Sequence, residues 1–192
     1  MSSQVSSLPR RGLNARRAET VERLLAAADL ELREVGPEAL TVRTVALRAG
    51  VSAATAYTYL ASKNHLFAEL FLRHLQSDVA PTPAGADPVA RVQAVTRHLA
   101  ASLAASPELA AGVTSALLGS DPEVARLRLR IGAEYVDRFA EALGERPDPA
   151  VVETLALAFS GALLQAGMGL MTYTEMGARL DVVVATILRG NP

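Results

Sequence analysis

Thr41–Leu66, TVRTVALRAGVSAATAYTYLASKNHL, is the stretch on which the fold turns. Thr41 is a capping residue, and Val42, Val45, Ala46 and Ala49 fall on one side of the helix that follows it. Gly50 ends that helix, because it enters the left-handed region at no steric cost. Val51 is placed to plug the turn from beneath, and Ser52 caps a second short helix. On that helix Ala56 and Leu60 point inward, while Ala53, Ala54, Tyr57 and Thr58 point away. Two short helices joined by a tight glycine turn make a helix-turn-helix, with its second helix sized for a DNA major groove. No Asp or Glu occurs between Glu38 and Glu69, whereas Arg43, Arg48 and Lys63 do. A polyanion requires such a carboxylate-free surface.

The order T-V-R-x-V-A-x-x-A-G-V-S at Thr41–Ser52, followed by T-A-Y-T-Y-L-A-S-K-N-H-L-F at Thr55–Phe67, resembles the DNA-binding module of the TetR/AcrR family of bacterial transcription regulators. The resemblance covers about the first 75 residues. It implies DNA contacts at Thr55, Tyr57, Thr58, Tyr59 and Lys63, with Thr41 and Arg43 on the phosphates. The residues themselves agree for Tyr57 and Thr58, which face outward and can reach phosphate or base edges. Tyr59 lies about 200° round the helix from Tyr57, so it is either a DNA contact or a side chain packed at the domain edge. Where many relatives carry a basic or polar residue followed by Gly, this chain has Ala53-Ala54. Those alanines touch thymine methyls or permit close approach, so specificity is expected to lean on A·T steps and DNA shape.

Before this module, residues 1–14 read as a disordered basic arm, and Arg10, Arg11, Arg16 and Arg17 stand in the first 18 residues without an acidic neighbour. The arm is Ser- and Arg-rich, like an organelle-targeting peptide, and has no apolar core for secretion. Arg16 and Arg17 are assigned to DNA beside the helix-turn-helix. From Ala15 to Val35 the positions Val21, Leu24, Leu25, Ala28, Leu32 and Val35 keep helical spacing until Gly36-Pro37. The domain expected to bind DNA therefore spans 15–62, and 63–192 form a second, larger one.

That second domain reads as helix throughout. Ser62 caps a helix to about Val79, with Leu66, Phe67, Leu70, Phe71 and Leu75 inside, which links the two domains mechanically. Ala80–Pro88 can only be a loop. Asp87-Pro88, Ser106-Pro107, Asp121-Pro122 and Asp148-Pro149 each pair a capping side chain with proline at the first helical position, where its missing N–H costs nothing. Gly119 and Gly144 supply stops. Val124, Leu127, Ile131, Tyr135, Phe139 and Leu143 keep one stripe, and no strand pattern competes. The fold class is all-α, with about nine helices: an N-terminal three-helix helix-turn-helix domain and a C-terminal helical ligand-binding and dimerisation domain.

Leu155–Met171 has no charge and is either buried on every side or in a membrane; its flanks lack an aromatic belt and basic asymmetry, so no membrane partner is expected. Ala158, Ala162 and Ala166 recur every four residues and let another helix approach closely. The last helix, Glu175–Arg189, has Leu180, Val183, Val184, Ile187 and Leu188 to bury. Ala158, Ala162, Ala166, Leu180, Val184 and Ile187 are expected at a two-fold homodimer interface, which is also where the resemblance implies one.

The 192-residue chain can bury a real core, and its net charge of −1 hides the basic N-terminus. With no cysteine it holds no disulfide or thiolate metal site, which fits the cytoplasm. His65, His74 and His98 share no ligand spacing, and no phosphate loop, nucleophile elbow or paired-carboxylate motif occurs, so neither cofactor, metal nor enzyme activity is expected. A helical enzyme acting on an apolar substrate and a membrane-associated helical protein are the rival readings. The resemblance implies a ligand pocket, and His98, Leu99, Leu103, Leu117, Leu118, Tyr135, Phe139, Leu163, Gln165 and Met168 are its candidate lining, each otherwise plain core. Gln165, Tyr135 and His98 are the expected polar anchors in a pocket of about 300–1,000 Å³ suited to an apolar or amphipathic molecule. The expected partners are double-stranded operator DNA, that small molecule and a second copy of the chain.

Overall fold

The computed structural model of the chain describes residues 9–78 and 87–189. Nine helices occur among them and no strand does: α1 (Pro9–Ala39), α2 (Val42–Arg48), α3 (Ala53–Tyr59), α4 (Lys63–Ser77), α5 (Pro88–Ala104), α6 (Pro107–Leu118), α7 (Pro122–Leu143), α8 (Pro149–Gly167) and α9 (Tyr173–Arg189). The first eight residues of the expected arm, and all of the expected loop except Asp87 and Pro88, lie outside the described residues.

Helix α1 begins at Pro9 rather than Ala15, so residues 9–14, expected as disordered arm, are helical. Proline at the start of a helix loses no hydrogen bond, and the arginines after it are good helix formers. Leu24, Leu25, Ala28 and Leu32 are buried as the spacing requires, but Val35 is 42% exposed. The helix breaks at Gly36, whose φ of 76° suits glycine, and Pro37 opens a last turn.

The helix-turn-helix forms from its caps outward. Thr41 Oγ1 accepts from Thr44 N at 3.1 Å while Thr44 Oγ1 accepts from Thr41 N at 3.2 Å, a reciprocal capping box made by two threonines. Val42, Val45 and Ala46 are buried against α1, and Gly50, with φ 66°, turns the chain. Val51 packs half-buried on the core, and Ser52 Oγ accepts from Thr55 N at 3.1 Å to start α3. Ala56 and Leu60 are the side chains that fix α3 in place, at 0% and 1% exposed.

Ser62 caps α4, whose Leu66, Phe67, Leu70, Phe71 and Leu75 are all buried, and α4 packs on α6 and α7. Asp87, Asp121 and Asp148 cap α5, α7 and α8 through their carboxylates, each with proline in the first turn. Ser106 does not: its φ of −130° and ψ of 60° take the hydroxyl away from the helix, and α6 starts without a side-chain cap. The stripe of α7 is buried as expected, with Ala142 taking the last place and Leu143 only half-buried.

Helix α8 is 19 residues and apolar enough to cross a membrane by length and composition. It is not buried all round, because only Val151, Val152, Leu155, Phe159 and Ala166 are enclosed, and Leu157 is 68% exposed. Phe159 holds it to α7 through ring contacts with Tyr135 (centroids 4.8 Å apart) and Phe139 (5.9 Å). Helix α9 turns Met176, Leu180, Val184 and Leu188 inward against α5 and α8 and leaves Val182 and Val183 outside.

Candidate functional site

The outer face of α3 carries Ala53, Ala54, Thr55, Tyr57 and Thr58, all exposed, with Tyr57 45% exposed. Tyr59 is half-buried and packs on the core, the second of the two roles open to it. Thr58 Oγ1 donates to Ala54 O at 3.0 Å, so its proton is spent inside the helix and its oxygen meets a partner as an acceptor. Thr55 shares its hydroxyl with Ser52, 2.8 Å away, and Thr41 is committed to its capping box.

The charges around this face are fewer than the sequence suggests. Arg48 Nε donates to Glu31 Oε2 at 2.5 Å and NH1 donates to Glu34 Oε1 at 3.0 Å. Both acids come from α1, and the pairing with Arg48 holds the Glu34 carboxyl below the usual carboxylate range. Arg48 is therefore a brace between α2 and α1. Lys63 Nζ donates to Glu38 O at 2.8 Å and keeps two donors free. Arg43 is exposed and makes no ion pair among the described residues, and the same holds for Arg16 and Arg17 on the outer side of α1.

An apolar cavity of about 260 Å³ opens among α4, α5, α6, α7, α8 and the start of α9. It is slightly smaller than expected. Five of the expected lining residues reach it: Leu103, Leu117, Leu118, Tyr135 and Leu163. Leu99 and Phe139 are enclosed core, at 1% and 0% exposed, and Met168 is 54% exposed. Gln165 is exposed, and His98 turns away, with Nε2 2.6 Å from Asp78 Oδ1. Of the three expected anchors only Tyr135 remains. Phe71, Val113 and Ile131 add apolar wall, and Thr114, Arg128, Ser160 and Tyr173 add polar groups the sequence reading missed. Their signal was a polar side chain interrupting the apolar face of an otherwise greasy helix, as Ser160 does on α8.

Tyr135 is 4% exposed, its hydroxyl has no hydrogen-bond partner, and burial pushes its pKa up. Burial raises Tyr173 as well, although the Thr114 hydroxyl partly offsets it. Arg128 NH1 donates to Leu117 O and Gly119 O, each at 2.7 Å, and so pins the end of α6.

Two contacts tie α6 and α7 to α4 and its cap. Gly112 on α6 lies so close to Phe67 on α4 that a Cβ there would sit 2.2 Å from the ring. At the next turn the Ser62 hydroxyl donates to Asp121 Oδ2 while also accepting from His65 N at 2.9 Å. Ser62 holds the Asp121 carboxyl below the usual carboxylate range, and the Glu123 and Val124 amides act in the same direction. The caps of α4 and α7 are thereby one hydrogen-bonded unit.

The residues expected at a dimer interface are mostly inside their own chain. Ala166, Leu180 and Val184 are 7%, 2% and 1% exposed, and Ala158, Ala162 and Ile187 are half-buried. The alanine ridge helps form a groove with α9 of the same chain, lined also by Leu180. Apolar side chains left exposed on α8 and α9 are Leu157, Leu164 and Met168 with Val182 and Val183, and Leu47, Leu129 and Leu170 are bare elsewhere. Among the described residues no cluster of His, Asp or Glu could hold a metal ion.

The sequence profile of bacterial regulatory proteins of the tetR family matches residues 24–70. An uncharacterized HTH-type transcriptional regulator of Mycobacterium tuberculosis (strain H37Rv) is 47% identical over 179 residues, covering 92% of this chain and 84% of that protein. The crystal structure of a TetR transcriptional regulator from Rhodococcus sp. RHA1 is 20% identical with a TM-score of 0.77, covering 92% of this chain and all (100%) of the other. Thermus thermophilus FadR, a TetR-family transcriptional repressor solved with lauroyl-CoA, is 25% identical with a TM-score of 0.66, covering 89% and 94% of the two chains. These relatives are regulators of transcription and not enzymes.

Proposed function

This chain belongs to the tetR family of bacterial regulatory proteins, and from that premise we propose that it is a cytoplasmic, homodimeric repressor. It binds a palindromic operator and lets go when an apolar or amphipathic small molecule fills the cavity. The observation that carries this reading is the exposed, capped face of α3 bearing Tyr57, with the unpaired Arg43 beside it. Tyr57 and Thr58 address base edges, Ala53 and Ala54 admit close approach to thymine methyls, and Arg43 and Lys63 take phosphates, while Thr41 holds the start of α2. The repressor named with lauroyl-CoA supports both the sign of the regulation and the character of the ligand.

The second copy is taken to cover Leu157, Leu164, Met168, Val182 and Val183, the exposed apolar side chains of α8 and α9. Two-fold pairing there sets the separation of the recognition helices, which must match one turn of DNA, about 34–36 Å. A ligand lodged against α6 and α7 acts on that separation through Gly112–Phe67 and Asp121–Ser62, both of which bear on α4. Moving the population from 1:99 to 99:1 takes about 5.5 kcal/mol of differential affinity, and operator must weaken ligand binding by the factor that ligand weakens operator binding.

Selecting duplexes from random DNA and titrating variants against the winning site tests this. Tyr57→Ala should cost about 1–3 kcal/mol on that site and less elsewhere, while Arg43→Gln should weaken all duplexes alike and flatten the salt slope by about one. Selected duplex that binds both variants as tightly as the unaltered protein would remove α3 as the reading helix.

A further inference from the structure

Arg128, Gly132 and Tyr135 lie on one face of α7 and all line the cavity. Arg128 brings its only charge, since no Asp or Glu lines it. NH1 is committed to the carbonyls of Leu117 and Gly119, but Nε and NH2 donate to nothing among the described residues, and the guanidinium has no carboxylate partner. One helical turn past Gly132, the Tyr135 hydroxyl is buried and without an acceptor. A donor left unpaired in an apolar interior costs free energy that an arriving acceptor recovers. Between the two donors stands a glycine whose missing Cβ would meet no atom within 4 Å, so the gap is open.

The same three residues, with Ser160, also border a groove between α7 and α8. The carboxylate of that groove, Glu153, is two turns of α8 away from Ser160, about 10 Å along the axis. Burial pushes the Tyr135 phenol up, with Arg138 opposing that shift and Tyr173 adding to it. The phenol therefore stays protonated and is a permanent donor.

Resting on the reading of this cavity as the ligand site, we propose that its ligand is a carboxylate amphiphile. Its anionic head lies over Gly132 between the Arg128 guanidinium and the Tyr135 hydroxyl, and its hydrocarbon tail lies among Phe71, Val113 and Leu163. An apolar cavity of about 150 Å³ holds benzene, so about 260 Å³ holds roughly ten non-hydrogen atoms, the size of octanoate. The wall offers a cation and a neutral donor to one end of such a molecule and only carbon to the other.

Calorimetric titration of the full chain with octanoate, methyl octanoate and octylamine tests the assignment, since the three share a tail. Octanoate should bind at least about tenfold more tightly than either, the margin of a hydrogen bond to a charged group. Tyr135→Phe, which keeps the ring and removes the donor, should weaken octanoate at least about fivefold, and Gly132→Leu, whose Cβ meets no atom within 4 Å and whose branch enters the gap, should abolish it. If all three probes bind within about twofold of one another and Gly132→Leu abolishes them all, the carboxylate assignment falls and the apolar ligand site stands. Should none of them bind to the folded protein, both fall. An octanoate affinity indifferent to Tyr135→Phe also overturns the proposed head-group site.

Discussion

Gly112→Ala adds one methyl where α6 crosses α4, and the structure fixes both the sign and the size of its effect. The new Cβ would sit 2.2 Å from Phe67 Cε1, 2.4 Å from Cζ and 2.5 Å from Cδ1. Carbon atoms pack at about 3.5–4.0 Å, so the ring must retreat by more than about 1 Å. Phe67 is 2% exposed and has nowhere to go unless α4 moves with it. Overpacking of this kind costs about 1–3 kcal/mol, and a shift this large belongs in the upper half of that range. Alanine returns about 0.8–1.0 kcal/mol over glycine in a helix interior. The net loss is about 1–2 kcal/mol, a fall in Tm of about 2–8 °C for a chain of this size. Gly132→Ala is the internal control: the same chemical change in α7, where a Cβ meets nothing within 4 Å, should raise Tm by about 2–4 °C. Thermal denaturation followed by circular dichroism measures both. Because the ring displaced by Gly112→Ala belongs to the helix that directly follows α3 in the chain, operator affinity should change with that variant alone. A Gly112→Ala protein that is more stable than the parent, with operator binding untouched, would show that α4 and α6 do not meet as closely as described.

Ser52→Ala removes the side chain that caps α3 and should lower stability by about 1 kcal/mol, with the amides of α3 losing protection in hydrogen exchange before those of α4. Asp121 has its pKa depressed below the ordinary 3.8 by Ser62, so its contribution is complete above the unfolded pKa and is lost as pH falls through the folded one. In acid titrations the parent should therefore outlast Asp121→Asn at neutral pH and converge with it below about pH 4. Val182→Glu places a charge among the exposed apolar side chains of α8 and α9, where Val182 is 66% exposed, and should give monomers in sedimentation; a variant as dimeric as the parent would move the interface off that surface.

Local chemistry was legible in the sequence, and three-dimensional charge and rotation were not. Thr41, Gly50 and Ser52 act within four residues of themselves, as Ser62 does in its role as a cap, so these caps and turns are read directly, as is the 3.6-residue stripe of α7. Arg48 looked available to DNA because its neighbours in sequence carry no acid; Glu31 and Glu34 reach it only when α1 crosses α2. Ser106 matched its three counterparts in sequence, but the chain enters α6 at a different angle. Two of the three expected polar anchors lie away from the cavity for a related reason. His98 and Gln165 were chosen as awkward groups to bury, and each solved the difficulty, one by pairing with Asp78 and the other by facing solvent. Arg128 was passed over because an arginine beside an apolar stripe reads as surface. The alanine ridge predicts a close helix contact, and within the single chain Ala158 and Ala162 line an open groove between α8 and α9 beside exposed apolar side chains.

Ser62 belongs by sequence to the DNA-reading half and by its hydrogen bond to the other. Swapping such halves between relatives is an inviting way to pair a chosen operator with a chosen inducer, and the natural cut falls just before Lys63. The graft then carries residue 62 across and leaves Asp121 with the host. A donor without a hydroxyl at that position gives a hybrid in which every DNA contact and every cavity residue is intact, yet the two helix starts no longer share a proton. We expect such a hybrid to bind both partners and to induce feebly in a reporter cell, and a single change back to serine to restore its range. The interchangeable part therefore ends at residue 61, one residue short of that cut.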